Sequence, residues 1–150
     1  MPNLNATPYL VRSLAGYVHD LRETLKMEIK NRPLKYDDFP AIAIGCEYGI
    51  YKAYGHSRRC HKSLREEIDY VSPLLRALKR FGTPPTKKII GGKIHFIGTC
   101  AEDSAANKVL QEVFEVRHSY PTLQQLSFTS PVRPRTYQRR PMCRVCKSIF

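Results

Sequence analysis

Two cysteines with two residues between them, Cys143 and Cys146 in PMCRVCKSIF, and a third, Cys100 in GTCAEDSAANKVL, are the side chains best suited to chemistry in this sequence. Two thiolates at a CxxC spacing can bend around one tetrahedral ion and supply half of a zinc shell. The same spacing also suits a redox pair or two packed thiols. Cys100 stands where the strand-like run IHFIG gives way to the helical pattern SAANKVL. Its thiol is therefore presented at a helix N-terminus, where partial positive charge favours the thiolate. Three protein ligands leave one position for water, as a catalytic zinc requires and a closed four-ligand site does not allow. Glu102, two residues beyond Cys100, falls close to that position without having to bind the ion. A carboxylate so placed can take a proton from water and hand it to a leaving group.

Two alternatives stand beside the three-ligand reading. Zinc could be a structural staple closed by a fourth ligand from Cys46, His56, Cys60, His61 or His95, or the cysteines could hold no metal. Other chemistry has little support. Ile90-Gly91-Gly92-Lys93 lacks the spacing and the Ser or Thr of a phosphate loop. No spacing brings Cys100 to His95 or His118 as a nucleophile and base.

Cys100-Ala101-Glu102 and Pro141-Met142-Cys143-Arg144-Val145-Cys146 resemble the paired motifs of the cytidine deaminase superfamily. Gly98-Thr99-Cys100-Ala101-Glu102 and the small-residue start Ser104-Ala105-Ala106-Asn107 look like the variant in deaminase domains of bacterial polymorphic toxins. The motif-bearing part runs from about residue 94 to 146, and residues 1–40 and 56–86 match no motif of the family. The resemblance implies zinc held by Cys100, Cys143 and Cys146, with Glu102 as proton shuttle in hydrolytic deamination of cytosine or adenine. It also implies a three-layer α/β/α sandwich around a mixed, mostly parallel sheet, cytidine-deaminase-like. The toxin variant adds an immunity protein to the expected partners, and a secreted effector acting in a target cell's cytoplasm to a plain cytoplasmic location. The pattern departs from the family in two places. Met142 separates Pro141 from the first knuckle cysteine, and only Lys147-Ser148-Ile149-Phe150 follow the second. The second departure implies a reduced sheet, a strand supplied by the N-terminal segment, or a shortened or inactive chain.

The charge distribution bears on the substrate. Lys and Arg number 25 against 13 Asp and Glu, a formal charge of +12 that attracts polyanions. From Val116 to Phe150 there is no acidic residue, and Arg133, Arg135, Arg139 and Arg140, with Tyr137 among them, lead directly into the cysteine knuckle. Arginines can hold phosphates while an aromatic ring stacks on a base, the combination used by single-strand binders. These five residues, and Asn107 at the pocket rim, are the candidate substrate contacts, and single-stranded DNA, RNA or a nucleotide is the expected partner. Asn107 reads equally as a capping amide, and Asp103 and Ser104 as caps of the helix. The rival function is a zinc-stabilised nucleic-acid-binding module, or an inactive deaminase-like interaction domain.

The elements that must position these groups follow from periodicity. With 150 residues, 42% of them hydrophobic, the chain has the length and composition of one folded domain, 1–150. No run approaches 18 consecutive apolar residues, and MPNLNATPYL lacks the features of a cleavable signal. Five cysteines at irregular spacing suit a reducing compartment or metal ligation. Leu10, Leu14, Val18, Leu21 and Leu25 share one face of a helix over about 10–29. AIAIGCEYGIYKAYG (41–55) reads as a β-hairpin, and about 57–81 as a helical insert interrupted at Pro73. GTPPTKK reads as a linker, KIIGGKIHFIG as a turn and strand, and SAANKVLQEVFEV as a helix with Ala105, Ala106, Val109, Leu110 and Val113 inward. LQQLSFTS is a strand, PVRPRTYQRRP an extended loop, and the last residues a short helix.

Overall fold

A computed structural model describes residues 2–57 and 68–150. Helix α1 (Pro8–Glu28) opens on Thr7, whose side chain accepts the Leu10 N–H, with Pro8 in the first turn where its missing donor costs nothing. It buries Leu10, Leu14 and Val18, while Leu21 and Leu25 are half-buried. Strands β1 (Ala43–Tyr48) and β2 (Tyr51–His56) form the expected hairpin, closed at Gly49, whose φ of +58° suits glycine.

The pleat of β1 distributes its side chains to two layers. Ile44 and Cys46 pack in the cluster that holds Ala105, Val109 and Leu110, whereas Ala43 joins Leu14 and Val18 of α1. Gly45 also faces α1, since a Cβ there would lie 3.0 Å from the Leu10 side chain. Helices thus flank the sheet on both faces. Strand β5 (Ser127–Phe128) pairs with β1, giving the order β2-β1-β5. The sheet differs from the mostly parallel one expected. Every pairing between named strands is antiparallel, because β1 is central and runs against both neighbours. The parallel element is a bridge from Asn3 to Ser127, reinforced by the Phe128 N–H donating to the Asn3 carbonyl at 2.8 Å. The N-terminal segment therefore does contribute to the β5 side of the sheet.

The interruption at Pro73 is a helix start: α2 (Ser72–Lys79) carries the proline in its first turn, where it is tolerated. Residues 58–67 of the expected insert, Cys60, His61 and Leu64 included, lie outside the described residues. Strands β3 (Thr86–Ile90) and β4 (Lys93–Ile97) make a separate hairpin across the Gly91-Gly92 turn. The TKK of the expected linker is thus part of a strand. Helix α3 (Ala101–Arg117) buries all five residues of the expected stripe, and Val109, Leu110 and Val113 contribute roughly 1.5–3 kcal/mol each. The chain closes with helix α4 (Arg144–Ile149), which buries Val145, Cys146 and Ile149 in the same core. No helix among the described residues is long and apolar enough to cross a membrane.

Candidate metal centre

The site is assembled where two helices begin. Cys100 is the N-cap of α3 and Cys143 the N-cap of α4, both with extended backbone. The start of α3 is held tightly against β2. A Cβ on Gly55 would come within 2.5 Å of both the Ala101 carbonyl oxygen and the Ala105 nitrogen, so only glycine permits this approach. In α4 the Cys146 N–H donates to Cys143 Sγ at 3.4 Å, which folds the CxxC turn around its own sulfur. Met142, which departs from the family spacing, is buried in the core, and the knuckle cysteines still converge with Cys100.

The three sulfurs of Cys100, Cys143 and Cys146 lie within 4.8 Å of one another, and Cys100 Sγ is 3.6 Å from Cys143 Sγ. A tetrahedral zinc with bonds of about 2.3 Å places its sulfurs about 3.8 Å apart, so the spacing fits an ion. It is far too long for a disulfide, and all three cysteines are free. Their acidities point the same way. Hydrogen bonds from Cys100 and then Cys146 hold the Cys143 thiol well below its ordinary pKa. Cys100 is pushed up chiefly by its hydrogen bond to Cys143, and Cys146 chiefly by its contact with Cys100. Without a cation the cluster stabilises one thiolate at the expense of the other two.

Two buried carboxyls accompany the sulfurs. Glu102 is 4% exposed, and the Cys146 thiol donates to its Oε2 at 3.6 Å. Burial is the main cause that raises its pKa to about 7. Asp103, 1% exposed, has no hydrogen-bond partner for either carboxylate oxygen among the described residues. Burial first and the Glu102 charge second push it well above the usual range, with the Cys100 backbone opposing weakly. A buried carboxyl without a partner is costly in its charged form, which is why its proton is held tightly. Asp103 therefore does not cap α3 as expected, and neither it nor Ser104 gives a side-chain cap to the helix.

Cys100, Glu102 and Cys143 open onto a cleft of about 660 Å³. Its walls include Lys93, Ile94, His95 and Phe96 of β4, Arg133 and Arg140 of the following loop, Arg144 of α4, and Tyr36. Of the expected substrate contacts, Arg133 and Arg140 line this cleft. The others do not, because residues 132–139 fold back on themselves through a Val132–Arg139 bridge. Tyr137, at φ +61°, lies under the Arg22 guanidinium (5.1 Å) and with Arg139 lines a groove against α1. Arg135 sits 4.9 Å over the Tyr36 ring. Asn107 also leaves the rim: its Oδ1 accepts the Val71 N–H and its Nδ2 donates to the Asp69 carbonyl, both at 2.9 Å. The capping alternative describes it better, since Val71 is the N-cap of α2.

Among the described fourth-ligand candidates, none joins the cluster. Cys46 is buried in β1 with its thiol pushed up by burial, and His56 Nδ1 faces the Ser57 carbonyl. His95 lines the cleft and its charge favours the Cys143 thiolate. Cys60 and His61 lie outside the described residues. Sequence reasoning missed Lys93 and Arg144 as cleft residues. Their signal was available in the basic residues flanking Gly91-Gly92 and within CRVC, but nothing local indicated that these two segments meet.

No protein-family model, curated protein or solved structure matches this chain. Fold and site together define a mixed α/β protein, with helices flanking a small antiparallel sheet and a three-cysteine cluster able to coordinate a metal ion.

Proposed function

We propose that this protein is a zinc-dependent hydrolytic deaminase acting on cytosine in nucleic acid or nucleotides, within the cytidine deaminase superfamily and nearest to its toxin domains. The observation that carries the reading is the Glu102 carboxyl, buried at the floor of the cleft and 3.6 Å from a sulfur of the three-cysteine set. A purely structural metal site has no need of an acid in that place. Cys100, Cys143 and Cys146 would hold the ion. When bound, zinc supplies Lewis acidity and makes water nucleophilic near neutral pH. Glu102 takes one proton from the attacking water and delivers it to the departing amine, so that cytosine and water give uracil and ammonia. Ile94, Phe96 and Met142 supply apolar surface to the cleft lining.

A second reading, a zinc-stabilised nucleic-acid-binding module, draws support from the cationic cleft wall, which needs no turnover to be useful. An inactive interaction domain would share that wall. The test is Glu102→Gln, with zinc per chain and uracil formation from single-stranded DNA, RNA and cytidine measured on the same preparations. The expected result is full zinc and a turnover loss of about 10²–10⁴-fold, the usual worth of a general acid–base group. Turnover equal to wild type in the variant would remove Glu102 from the chemistry. A zinc-loaded wild type that yields uracil from none of the three substrates would replace the deaminase with the binding module.

A further inference from the structure

The β3–β4 hairpin lies outside the main sheet and pairs only with itself. Ile97 anchors one end of the hairpin in the core and Ile90 packs against it, whereas the cross-strand pair Ile89–Ile94 is 75% and 55% exposed. An isolated hairpin is marginal in water, and this one is set beside the cleft by its turn. Gly91 has φ +58°, and a Cβ there would overlap the Arg144 guanidinium. The left-handed backbone at residue 91 suits glycine, and the Arg144 guanidinium, the flexible end of the first side chain of α4, lies against that turn. Lys93, across the same turn, lines the cleft beside Arg144.

The cleft charge is one-sided. Lys93, Arg133, Arg140 and Arg144 line it from three separate segments, and Glu102 is its one acidic lining residue among those described. None of the four cations makes an ion pair among the described residues. A single terminal phosphate would engage one or two of them. Cations distributed along a wall match a chain of regularly spaced phosphates. Tyr36, exposed at the same cleft with Arg135 over its ring, adds an aromatic surface of the kind on which unpaired bases stack.

We propose that Lys93 and Arg144, flanking the Gly91-Gly92 turn, form an anion seat that takes a backbone phosphate of a single-stranded polynucleotide. The hairpin is then one wall of a polymer channel whose other wall is the arginine loop at 133–140. This deepens the deaminase reading by making the target a base within a polymer, and it rests on that reading only for which base reacts.

The test uses the full zinc-loaded chain and two fluorescein-labelled 12-mers, oligodeoxythymidine and oligouridine, followed by fluorescence anisotropy across a salt series. Neither probe contains cytosine, so binding is read without turnover. Lys93→Gln with Arg144→Gln is compared with Arg76→Gln with Lys79→Gln, an equal loss of charge on exposed residues of α2. The expected result is a tenfold or greater loss of affinity in the first pair, with a salt slope shallower by about 0.7 for each lost contact, and less than twofold loss in the second. A loss on one probe only assigns the seat to DNA or to RNA, and a loss on both assigns it to the shared phosphate backbone. Equal losses in the two double variants, with zinc retained, would reduce the seat to general surface charge and overturn it. Uracil formation by the wild type is scored separately. Failure there with a selective loss of binding removes the deaminase and keeps the seat, whereas the converse removes the seat alone.

Discussion

Glu47 in β1 and Asp103 in α3 are both acidic and almost sealed from solvent, at 5% and 1% exposure. Around Glu47 every need is met. The Thr7 N–H donates to Oε1 at 2.6 Å, the Thr7 hydroxyl donates to Oε2 at 3.0 Å, and Lys52 Nζ lies 3.3 Å from Oε2. Thr7 is the N-cap of α1, so this carboxylate pins the start of one layer to the sheet. Around Asp103 there are thiols and another carboxyl, and among the described residues neither of its oxygens has a hydrogen-bond partner. A partnered buried charge is scaffold. An orphaned carboxyl beside three cysteines able to coordinate a metal ion is the feature that scaffold does not explain.

The contrast can be broken most forcefully at Glu47. Replacing it with Ala leaves the Thr7 donors and Lys52 without their acceptor, and hydrogen bonds to charged groups contribute roughly 1.5–3 kcal/mol each. The expected loss is about 3 kcal/mol, a fall of roughly 10 °C in melting temperature for a chain of this size, with zinc per chain unchanged. A shift within two degrees would mean that Glu47 is not the anchor of α1.

Asp103→Asn should act in the opposite sense on the metal-free protein at alkaline pH and stabilise it, because a carboxyl whose charged form burial penalises becomes a neutral amide. The same change should weaken zinc affinity about tenfold, as loss of supporting groups around a metal commonly does. Chelator competition and urea unfolding of the stripped protein report the two effects. Unaltered affinity would detach Asp103 from the metal centre.

A smaller, graded effect is expected with pH in the metal-free protein. Glu102, raised to about 7, and Asp103, also raised, bind protons more tightly folded than unfolded, where carboxyls titrate near 4. The Glu102 contribution is therefore fully present below about pH 4 and is lost as pH rises through about 7, and Asp103 acts in the same direction. Urea midpoints should fall from pH 5 to pH 8 in stripped protein, and the Glu102→Gln, Asp103→Asn double variant should flatten that slope. A rising midpoint in the stripped wild type would contradict the assignment.

The smallest change is expected at Asn107. Substitution by Ala removes both hydrogen bonds to residues 69–71 and should cost about 1 kcal/mol in thermal or urea unfolding. Zinc content should be unaffected. Metal loss in that variant would give Asn107 a role at the cluster that its contacts do not show.

Local pattern was enough wherever a segment's own period decided its state. The stripe from Ala105 to Val113 appears as expected, and the 41–55 hairpin forms with its turn at the glycine. TKKII was not legible as a strand because its lysines and isoleucines on both faces are largely exposed, and a strand without a buried face shows no alternation. The interruption read at Pro73 is the start of a helix, Ser72–Lys79, with the proline in its first turn. Arg135, Tyr137 and Arg139 were grouped with Arg133 and Arg140 by adjacency, yet the fold-back at 132–139 sends them to other partners.

The sequence by itself determined the ligand types, their CxxC spacing, the helix starts that carry them and the excess of positive charge, all of which depend on neighbours within a turn or two. Only the tertiary structure decided that Cys100 meets a knuckle more than forty residues away. It also left Asp103 without a donor and brought Arg144 against Gly91 to build the cleft wall. Those outcomes depend on how layers pack, and close approaches such as Gly55 against α3 are set by the shapes of two elements together rather than by either sequence alone.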